Sequence, residues 1–373
     1  EGTKGISMFI VPKYIVNADG SLGNRNNVNC ISIEEKLGIH GSPTCVMEYD
    51  GSVGYLVGDE NRGLNYMFTT INEARIRVGG HGLACTMGAL QGASQYARDR
   101  VQGRPVGMSK EDAKNSTIIE HADVRRMLMT IKAYSEAMRY MMYDNHMMLD
   151  FLYFGNKEQK IYGEMRCGLL TPISKSWISD LSVELTSMAI QVYGGMGYVE
   201  ETGVAQYFRD ARIAPIYAGT NGIQALDLTL KKIHIDDGKT VNALFEDMMN
   251  VADEIRNNES LSNLHESLET HIKYLIKSTE KIRELKINGN QKSISGFSTP
   301  YAKMFGQVLG GYYMARAAII AEKIFKETGN EFYKDKITLS KFYIEQLLPL
   351  SATNLSSIYS EVDDLFEINS KNF

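Results

Sequence analysis

The hydrophobic pattern of the sequence changes near residue 60, and this change restricts the fold class. Before it, "GISMFIVPK" and "CVMEYDGSVGYLVG" alternate apolar and polar residues between Gly, Asn and Asp turns, as half-buried strands do. After it, Leu64, Met67, Phe68 and Ile71 recur at helical spacing. We therefore predict a mainly α chain that begins with a smaller β part.

Three further segments predict long helices after the first one. Residues 122–154 carry a methionine-rich stripe that is typical of a helix core. The next helix is predicted to start at Pro172, which suits a first turn, and to stop at Gly194. A fourth helix is predicted to begin near Asn221 and to run to about Ile235.

The segment "HIDDGKT", residues 234–240, predicts a hinge before an additional helical region. There, two amphipathic segments precede "INGNQKSISGFSTP", which we interpret as a polar loop. An apolar helix follows, and Pro349 should kink or split the last helix. The length of 373 residues exceeds what one hydrophobic core usually serves and predicts two or three domains. With the change of pattern near residue 60 and this hinge, we predict three, at residues 1–58, 59–235 and 239–373.

Composition and charge argue against several classes of protein. The net charge of -5 disfavours a nucleic-acid partner, because phosphate binding needs clustered Lys and Arg. No apolar run reaches the roughly 18 residues of a membrane span. The four cysteines lack metal-ligand spacing, so we expect buried reduced thiols, no metal site and a cytoplasmic location. The sequence opens without Met and within a strand pattern, which predicts a fragment.

The motifs that remain are glycine and polar clusters at helix ends. The patterns GxGxxG, GxxxxGK[ST], HExxH and GxSxG are absent from the sequence. In "QVYGGMGY", Gly194, Gly195 and Gly197 either let a flat ligand approach the backbone or form a helix cap with a turn. In "AGTNG", Thr220 and Asn221 either favour a polar ligand edge or act as an ordinary N-cap.

The joint order of several motifs resembles the acyl-CoA dehydrogenase family of flavoenzymes. The motifs are "KLGIHGSPTCVMEYDG", "NEAR", "YARDR", "QVYGGMGY", "FRDARI" and "IYAGTNGIQ". The resemblance covers residues 1 to about 232, and the region from about 239 is similar to the extension of the larger bacterial branch. It implies the second half of a β-barrel-like middle domain, a four-helix bundle and an extra C-terminal helical region.

The resemblance also implies FAD as cofactor and assigns residues to it. Arg100 matches an arginine that reaches the FAD pyrophosphate of a neighbouring subunit, and a guanidinium fork suits a diphosphate. Thr220 and Asn221 match residues near the FAD of their own subunit. The positions that match the adenine side of FAD across a dimer interface are Gln191, Gly194 and Gly195.

The implied reaction is α,β-dehydrogenation of an acyl-CoA thioester by a homodimer or homotetramer, with an electron-transfer flavoprotein as partner. Arg75 matches an arginine near the active site, and Tyr217 and Gly219 match substrate-binding positions. The family's base is a carboxylate directly before the glycine that Gly219 matches. That position is Ala218 in this sequence, and its methyl group cannot accept a proton.

Three interpretations of Ala218 remain open. The chain is a base-deleted form of an ordinary family member, or Glu73 supplies the base. Some members place the base at the position of Ala74, and Glu73 is rotated from it by about 100° around a helix. Alternatively, the chain keeps only acyl-CoA or flavin binding, or a structural role in a helical assembly. The glycines of "QVYGGMGY" argue against a purely structural role, because a bundle does not need them.

Overall fold

The computed structural model describes residues 2–372. The chain forms two compact units, Glu1–Arg75 and Ile76–Phe373. The first helix, α1 (Gly63–Asp99), begins in the first unit and ends in the second. The chain is mainly α, as the periodicity predicts, and its β part is confined to the first unit.

The first unit contains six short antiparallel strands before α1. They are β1 (Met8–Ile10), β2 (Tyr14–Val16), β3 (Leu22–Arg25), β4 (Val28–Ile33), β5 (Cys45–Tyr49) and β6 (Tyr55–Val57). They pair as β1–β6, β2–β3 and β4–β5, so residues 2–75 contain three two-stranded sheets and no closed barrel. The buried Asn26 ties the sheets together, because its Nδ2 donates to the carbonyls of Pro12 and Val53 at 2.9 and 2.8 Å.

A helical bundle begins the second unit. After the second part of α1 come α2 (Ala122–Phe154), α3 (Lys157–Tyr193), α4 (Val204–Ala211) and α5 (Asn221–Leu230). On α1, Ala89, Ala93 and Ala97 are fully buried at four-residue spacing, which gives neighbouring helices a smooth face to pack against. The methionine stripe of α2 is core, as predicted, with Met138 and Met141 fully buried.

The predicted start of α3 at Pro172 is wrong, because Pro172 lies inside the helix. The helix begins fifteen residues earlier, where Asn156 and Gln159 form a capping box. Within the helix, the hydroxyl of Thr171 donates to the carbonyl of Cys167 at 2.7 Å. Since both faces around Pro172 are buried, tertiary packing keeps the helix continuous despite the missing N–H.

The rest of the second unit is helical, as predicted. Its helices are α6 (Lys239–Arg256), α7 (His265–Ile287), α8 (Gln291–Thr328), α9 (Glu331–Phe342), α10 (Leu355–Tyr359) and α11 (Asp364–Glu367). The predicted polar loop before Tyr301 is wrong from Gln291 onward, because α8 begins there and buries Ile294 and Phe297; only residues 288–290 form a turn. Around Pro349 the α-helix is interrupted by a π-helix (Tyr343–Leu347) and a 3₁₀-helix (Leu348–Asn354) between α9 and α10, which confirms the predicted split.

The small residues of α8 permit close packing on α3. A Cβ added to Gly306 would lie 2.2 Å from Cγ of Trp177, and one on Gly310 would lie 2.3 Å from the hydroxyl of Tyr343. Both glycines are therefore required by the aromatic side chains that fill the space beside them. This contact places α8, the central helix of the extra region, directly against the bundle.

Two of the cysteines do not follow the prediction of buried thiols. Cys85 and Cys167 are buried, whereas Cys30 and Cys45 are exposed on β4 and β5. No group of three metal-ligating side chains lies together within residues 2–372. Across the same residues, every helix is too short or too polar to cross a bilayer.

Candidate functional site

The 215–221 loop joins α4 to α5 and has a left-handed backbone at two successive residues. Ala218 has a φ of 56° and Gly219 a φ of 85°. Glycine adopts such angles freely, whereas they cost an alanine about 1–2 kcal/mol because its Cβ crowds the backbone. Thr220 then caps α5, with its Oγ1 accepting from the N–H of Ile223 at 3.4 Å. A strained loop persists only where its surroundings fix it.

A buried lysine of α3 fixes this loop. The side chain of Lys175 is fully buried, and its Nζ donates to the carbonyl of Gly219 at 2.8 Å and to Oδ1 of Asn221 at 2.7 Å. The N–H of Asn221 donates back to the carbonyl of Pro215 at 3.0 Å. A buried ammonium group is costly unless oxygen atoms surround it. The loop supplies those oxygen atoms, so the stability of α3 and the conformation at residue 218 are coupled.

Asn221 is the centre of a buried polar network. Its Nδ2 donates to Oδ1 of Asp180 at 2.7 Å, to Oγ of Ser179 at 2.9 Å and to the carbonyl of Ser176 at 3.1 Å. Burial raises the pKa of Asp180, and the hydrogen bond from Asn221 opposes that rise. The side chain of Asn221 therefore anchors α5 to α3, while the neighbouring Thr220 is exposed.

Tyr217, directly before Ala218, contacts a histidine of α1. Its hydroxyl lies 3.2 Å from Nδ1 of His81, and the two rings meet edge to face. Burial lowers the pKa of His81, and the carboxylate of Asp210 acts in the opposite direction. Burial also raises the pKa of Tyr217. At neutral pH a neutral phenol and a neutral imidazole therefore lie at the start of the Ala218 turn.

The end of α3 carries the predicted glycine cluster. Gly194 has a φ of 58° and its N–H donates to the carbonyl of Gln191, which is an exposed residue. A Cβ on Gly194 or Gly195 would meet no described heavy atom within 4 Å beyond its own chain neighbours, whereas one on Gly197 would lie 2.3 Å from the carbonyl of Ile190. Packing therefore requires Gly197, and the backbone at Gly194 and Gly195 is open to a ligand.

A cavity of about 420 Å³ lies beside this helix end. Its wall includes Gly88 and Gly92 of α1, together with Tyr193 and Tyr207. A Cβ on Gly88 would lie 2.4 Å from the ring of Tyr207, so the glycine lets the aromatic wall approach α1. The ring of Tyr193 also stacks on Tyr96 at a centroid distance of 4.3 Å. Tyr193, the last residue of α3 before Gly194, is thus part of the wall of this cavity.

Arg100 follows the last residue of α1 and is exposed. Its Nε and Nη2 each lie 3.4 Å from Oε1 of Gln102. The backbone is fixed on both sides, because the N–H of Arg100 donates to Tyr96 and its carbonyl accepts from Ile118. A guanidinium has five N–H donors, so this side chain has the capacity to bind a diphosphate as well as Gln102.

Glu73 and Arg75 lie on the part of α1 that belongs to the first unit. Both are half-buried, and Nη1 of Arg75 lies 3.2 Å from Oδ1 of Asn72. Their predicted roles as base and active-site arginine stay predictions.

Sequence reasoning singled out neither Lys175 nor His81. Lys175 stands in "TPISKSWISDL", and a lone lysine among apolar and small residues is a signal for a buried charge with partners. His81 interrupts the small-residue run "VGGHGLAC" on α1. The sequence shows both residues as unusual, but it does not identify their partners, which lie more than 40 positions away.

Two family models match the chain. The "Acyl-CoA dehydrogenase, C-terminal domain" matches residues 61–229, and "Acetyl-CoA dehydrogenase C-terminal like" matches residues 244–369. The 3-methylmercaptopropionyl-CoA dehydrogenase of Ruegeria pomeroyi is 36% identical over 367 residues, which are 98% of this chain and 62% of that protein. The chain therefore spans less than two thirds of the length of this relative.

Solved structures with the same fold include two larger proteins. An acyl-CoA dehydrogenase from Bacillus anthracis, complexed with FAD, superposes with a TM-score of 0.74 at 17% identity, over 98% of this chain and 60% of that one. ACDH-11 of Caenorhabditis elegans in complex with C11-CoA gives a TM-score of 0.71 at 20% identity, over 90% and 56%. At these identities the two matches establish the fold.

Proposed function

Because the chain belongs to the acyl-CoA dehydrogenase family, whose C-terminal domains it carries, we propose that it acts in α,β-dehydrogenation of an acyl-CoA thioester. The observation that carries the proposal is the left-handed Ala218, held by Lys175 and Asn221 directly before Gly219. We infer that this loop is the position of the family's base, with a methyl group as its side chain. We therefore propose an enzyme of reduced rate.

FAD is the proposed cofactor, and when bound it would supply a hydride acceptor for the β-carbon of the substrate. The residues at the end of α3 fit such a flat group, because the backbone at Gly194 and Gly195 is open and Gln191 is exposed beside it. Arg100 would bind the pyrophosphate through its guanidinium fork. The FAD complex of the structure from Bacillus anthracis supports this choice of cofactor.

The start of α5 is the proposed contact with the cofactor of the same subunit. Thr220 is exposed at this helix terminus, where backbone N–H groups favour polar or anionic ligand edges. The side chain of Asn221 is buried and hydrogen-bonds to Lys175 and Asp180. We propose that Asn221 positions Thr220 rather than contacting the cofactor with its own amide.

Tyr217, Ala218 and Gly219 are the proposed substrate contacts. The backbone N–H of Ala218 would polarise the thioester carbonyl, which makes the α-hydrogen more acidic. The methyl group of Ala218 cannot take that hydrogen as a proton, and losing a general base typically slows a reaction by about 100- to 10,000-fold. The C11-CoA complex of the protein from Caenorhabditis elegans supports an acyl-CoA as the class of ligand.

Binding without dehydrogenation is the second candidate function, and the methyl group at residue 218 favours it. In that case the same loop and the same glycines hold an acyl-CoA or a flavin without turnover. Glu73 as a replacement base is a further prediction, since it lies one position before Ala74 on α1. An electron-transfer flavoprotein as electron acceptor, and a homodimer or homotetramer that shares FAD sites, are predictions supported by family membership.

An anaerobic visible spectrum of the full-length protein, with and without added acyl-CoA, tests the proposal. Flavin bands that bleach slowly are the expected result. Bands that shift without bleaching would favour the binding-only candidate, because the thioester then reaches the flavin but no group removes its proton. A protein that binds neither FAD nor acyl-CoA would overturn both candidates.

A further inference from the structure

His81 differs from other histidines of the second unit in what its ring faces. His146, His234 and His271 each place a ring nitrogen 2.7–2.9 Å from a backbone carbonyl of their own segment. His81 instead places Nδ1 3.2 Å from the hydroxyl of Tyr217, 136 residues away in sequence. A carbonyl can only accept a hydrogen bond from the ring, whereas a phenol can also donate one to it.

We propose that His81 is the proton acceptor that replaces the missing carboxylate at residue 218, with the hydroxyl of Tyr217 relaying the proton from the substrate. This inference rests on the proposed function, because it concerns the same thioester. Tyr217 directly precedes Ala218 and is 40% exposed, so part of this residue is open to a ligand.

The proposed step conserves atoms and charge. The bond between the α-carbon and its hydrogen breaks, and the electron pair stays on the substrate as a thioester enolate. The proton passes to the oxygen of Tyr217 while the phenolic proton of Tyr217 passes to Nδ1 of His81. The products are the enolate, an unchanged phenol and an imidazolium cation.

The charged and titratable groups around His81 suit this role. The carboxylate of Asp210, on α4, favours the imidazolium that forms. Cys85 lies one turn along α1, and burial raises the pKa of its thiol to about 11, so it stays neutral. Burial keeps His81 neutral before the reaction and Tyr217 protonated. Both partners therefore start in the protonation states that the relay needs.

Hydrogen exchange at the substrate α-carbon measures the step. Full-length protein loaded with FAD is incubated in D₂O with butyryl-CoA, octanoyl-CoA or palmitoyl-CoA, and α-deuterium is counted by mass spectrometry. We expect His81→Gln and Tyr217→Phe each to slow exchange by about tenfold or more. His234→Gln is the matched control, because that half-buried histidine also has a lowered pKa but faces the carbonyl of Thr229; we expect it to exchange like the wild type.

A second readout does not need the cofactor. In ¹⁵N spectra of histidine-labelled chain, Nδ1 of His81 should show the shift of a hydrogen-bond acceptor, and Tyr217→Phe should change that shift. An unchanged shift would overturn the contact on which the relay depends.

The outcomes separate this inference from the proposed function. Exchange that persists in His81→Gln, or that is lost in Glu73→Gln instead, overturns the relay and leaves acyl-CoA dehydrogenation in place. A wild-type flavin spectrum that acyl-CoA perturbs without any exchange also overturns the relay. Absence of flavin and acyl-CoA binding overturns the proposed function itself.

Discussion

The ammonium group of Lys175 lies 2.7 Å from Oδ1 of Asn221, and the same group donates at 2.8 Å to the carbonyl of Gly219. One side chain of α3 thus holds both the turn that contains Ala218 and the first residue of α5. This link explains how a non-glycine residue keeps a left-handed backbone at this point. It also makes the geometry of the loop testable through stability measurements.

Replacing the buried lysine should destabilise the second unit. In Lys175→Met, the carbonyl of Gly219 and Oδ1 of Asn221 lose a charged donor, at a cost of about 2–4 kcal/mol. Lys160→Met is the control, since Lys160 is exposed on the same helix. Urea unfolding followed by circular dichroism should show a lower midpoint for Lys175→Met alone. Equal midpoints would mean that the lysine does not hold the loop.

Removing the Cβ at residue 218 should relieve strain. Ala218→Gly is expected to stabilise the protein by about 0.5–1 kcal/mol, because glycine adopts a positive φ without penalty although it loses more chain entropy. Ala84→Gly, at an exposed position inside α1, should instead cost about 1 kcal/mol. The two urea midpoints should therefore move in opposite directions, and a shared destabilisation would contradict the strained turn.

A methyl group between α8 and α3 should disrupt their packing. Gly306→Ala would place a Cβ 2.2 Å from Cγ of Trp177, and such overpacking costs about 1–3 kcal/mol. In Gly168→Ala, the new Cβ would meet only the tip of Lys232 at 3.9 Å and of Ile235 at 4.0 Å. That control should be neutral or stabilising by up to about 1 kcal/mol. Thermal unfolding compares the two, and a Gly306→Ala variant as stable as Gly168→Ala would refute the close contact.

Stability should fall as the pH drops below about 6.5, the ordinary pKa of histidine. Burial lowers the pKa of His81 and His234, so the unfolded chain binds protons that the folded protein does not. Their contribution is present above the unfolded pKa and is lost as the pH falls through the lowered folded values. Asp180 and Glu184, whose pKa values are raised by burial, act in the opposite sense.

The double variant His81→Gln/His234→Gln isolates the histidine part. Its urea midpoint should depend less steeply on pH than that of the wild type between about pH 5 and 7. Parallel curves would show that neither histidine is kept neutral by the fold.

The sequence predicts helices correctly where apolar residues recur at helical spacing over several turns. The prediction fails at Pro172 and at residues 291–300, because proline and polar residues indicate only local preferences for a helix start or a loop. In the structure, Phe297 is buried and Ser298 shares a hydrogen bond of 2.8 Å with Thr229. These tertiary contacts stabilise helix where local preference predicts a loop.

In the candidate site, too, the sequence predicts features that depend on local signals and misses those that depend on tertiary contacts. The residue preferences of helix ends predict Gly194 as a helix stop and Thr220 as an N-cap, and they lie at the end of α3 and the start of α5. The positive φ of Ala218 could not be predicted from the sequence, because alanine rarely adopts such an angle. Lys175 and His81 were missed because their roles depend on partners that only the folded chain brings together.

Restoring a carboxylate at residue 218 tests the central claim most directly. The rate of anaerobic flavin bleaching by acyl-CoA is measured by stopped-flow for full-length Ala218→Glu, Ala218→Gln and the wild type. If residue 218 is the position of the base, Ala218→Glu should bleach about 100- to 10,000-fold faster than Ala218→Gln, which has the same shape without a basic group. Equal rates in these two variants, with FAD and acyl-CoA bound in both, would show that the turn held by Lys175 is not where the proton is taken.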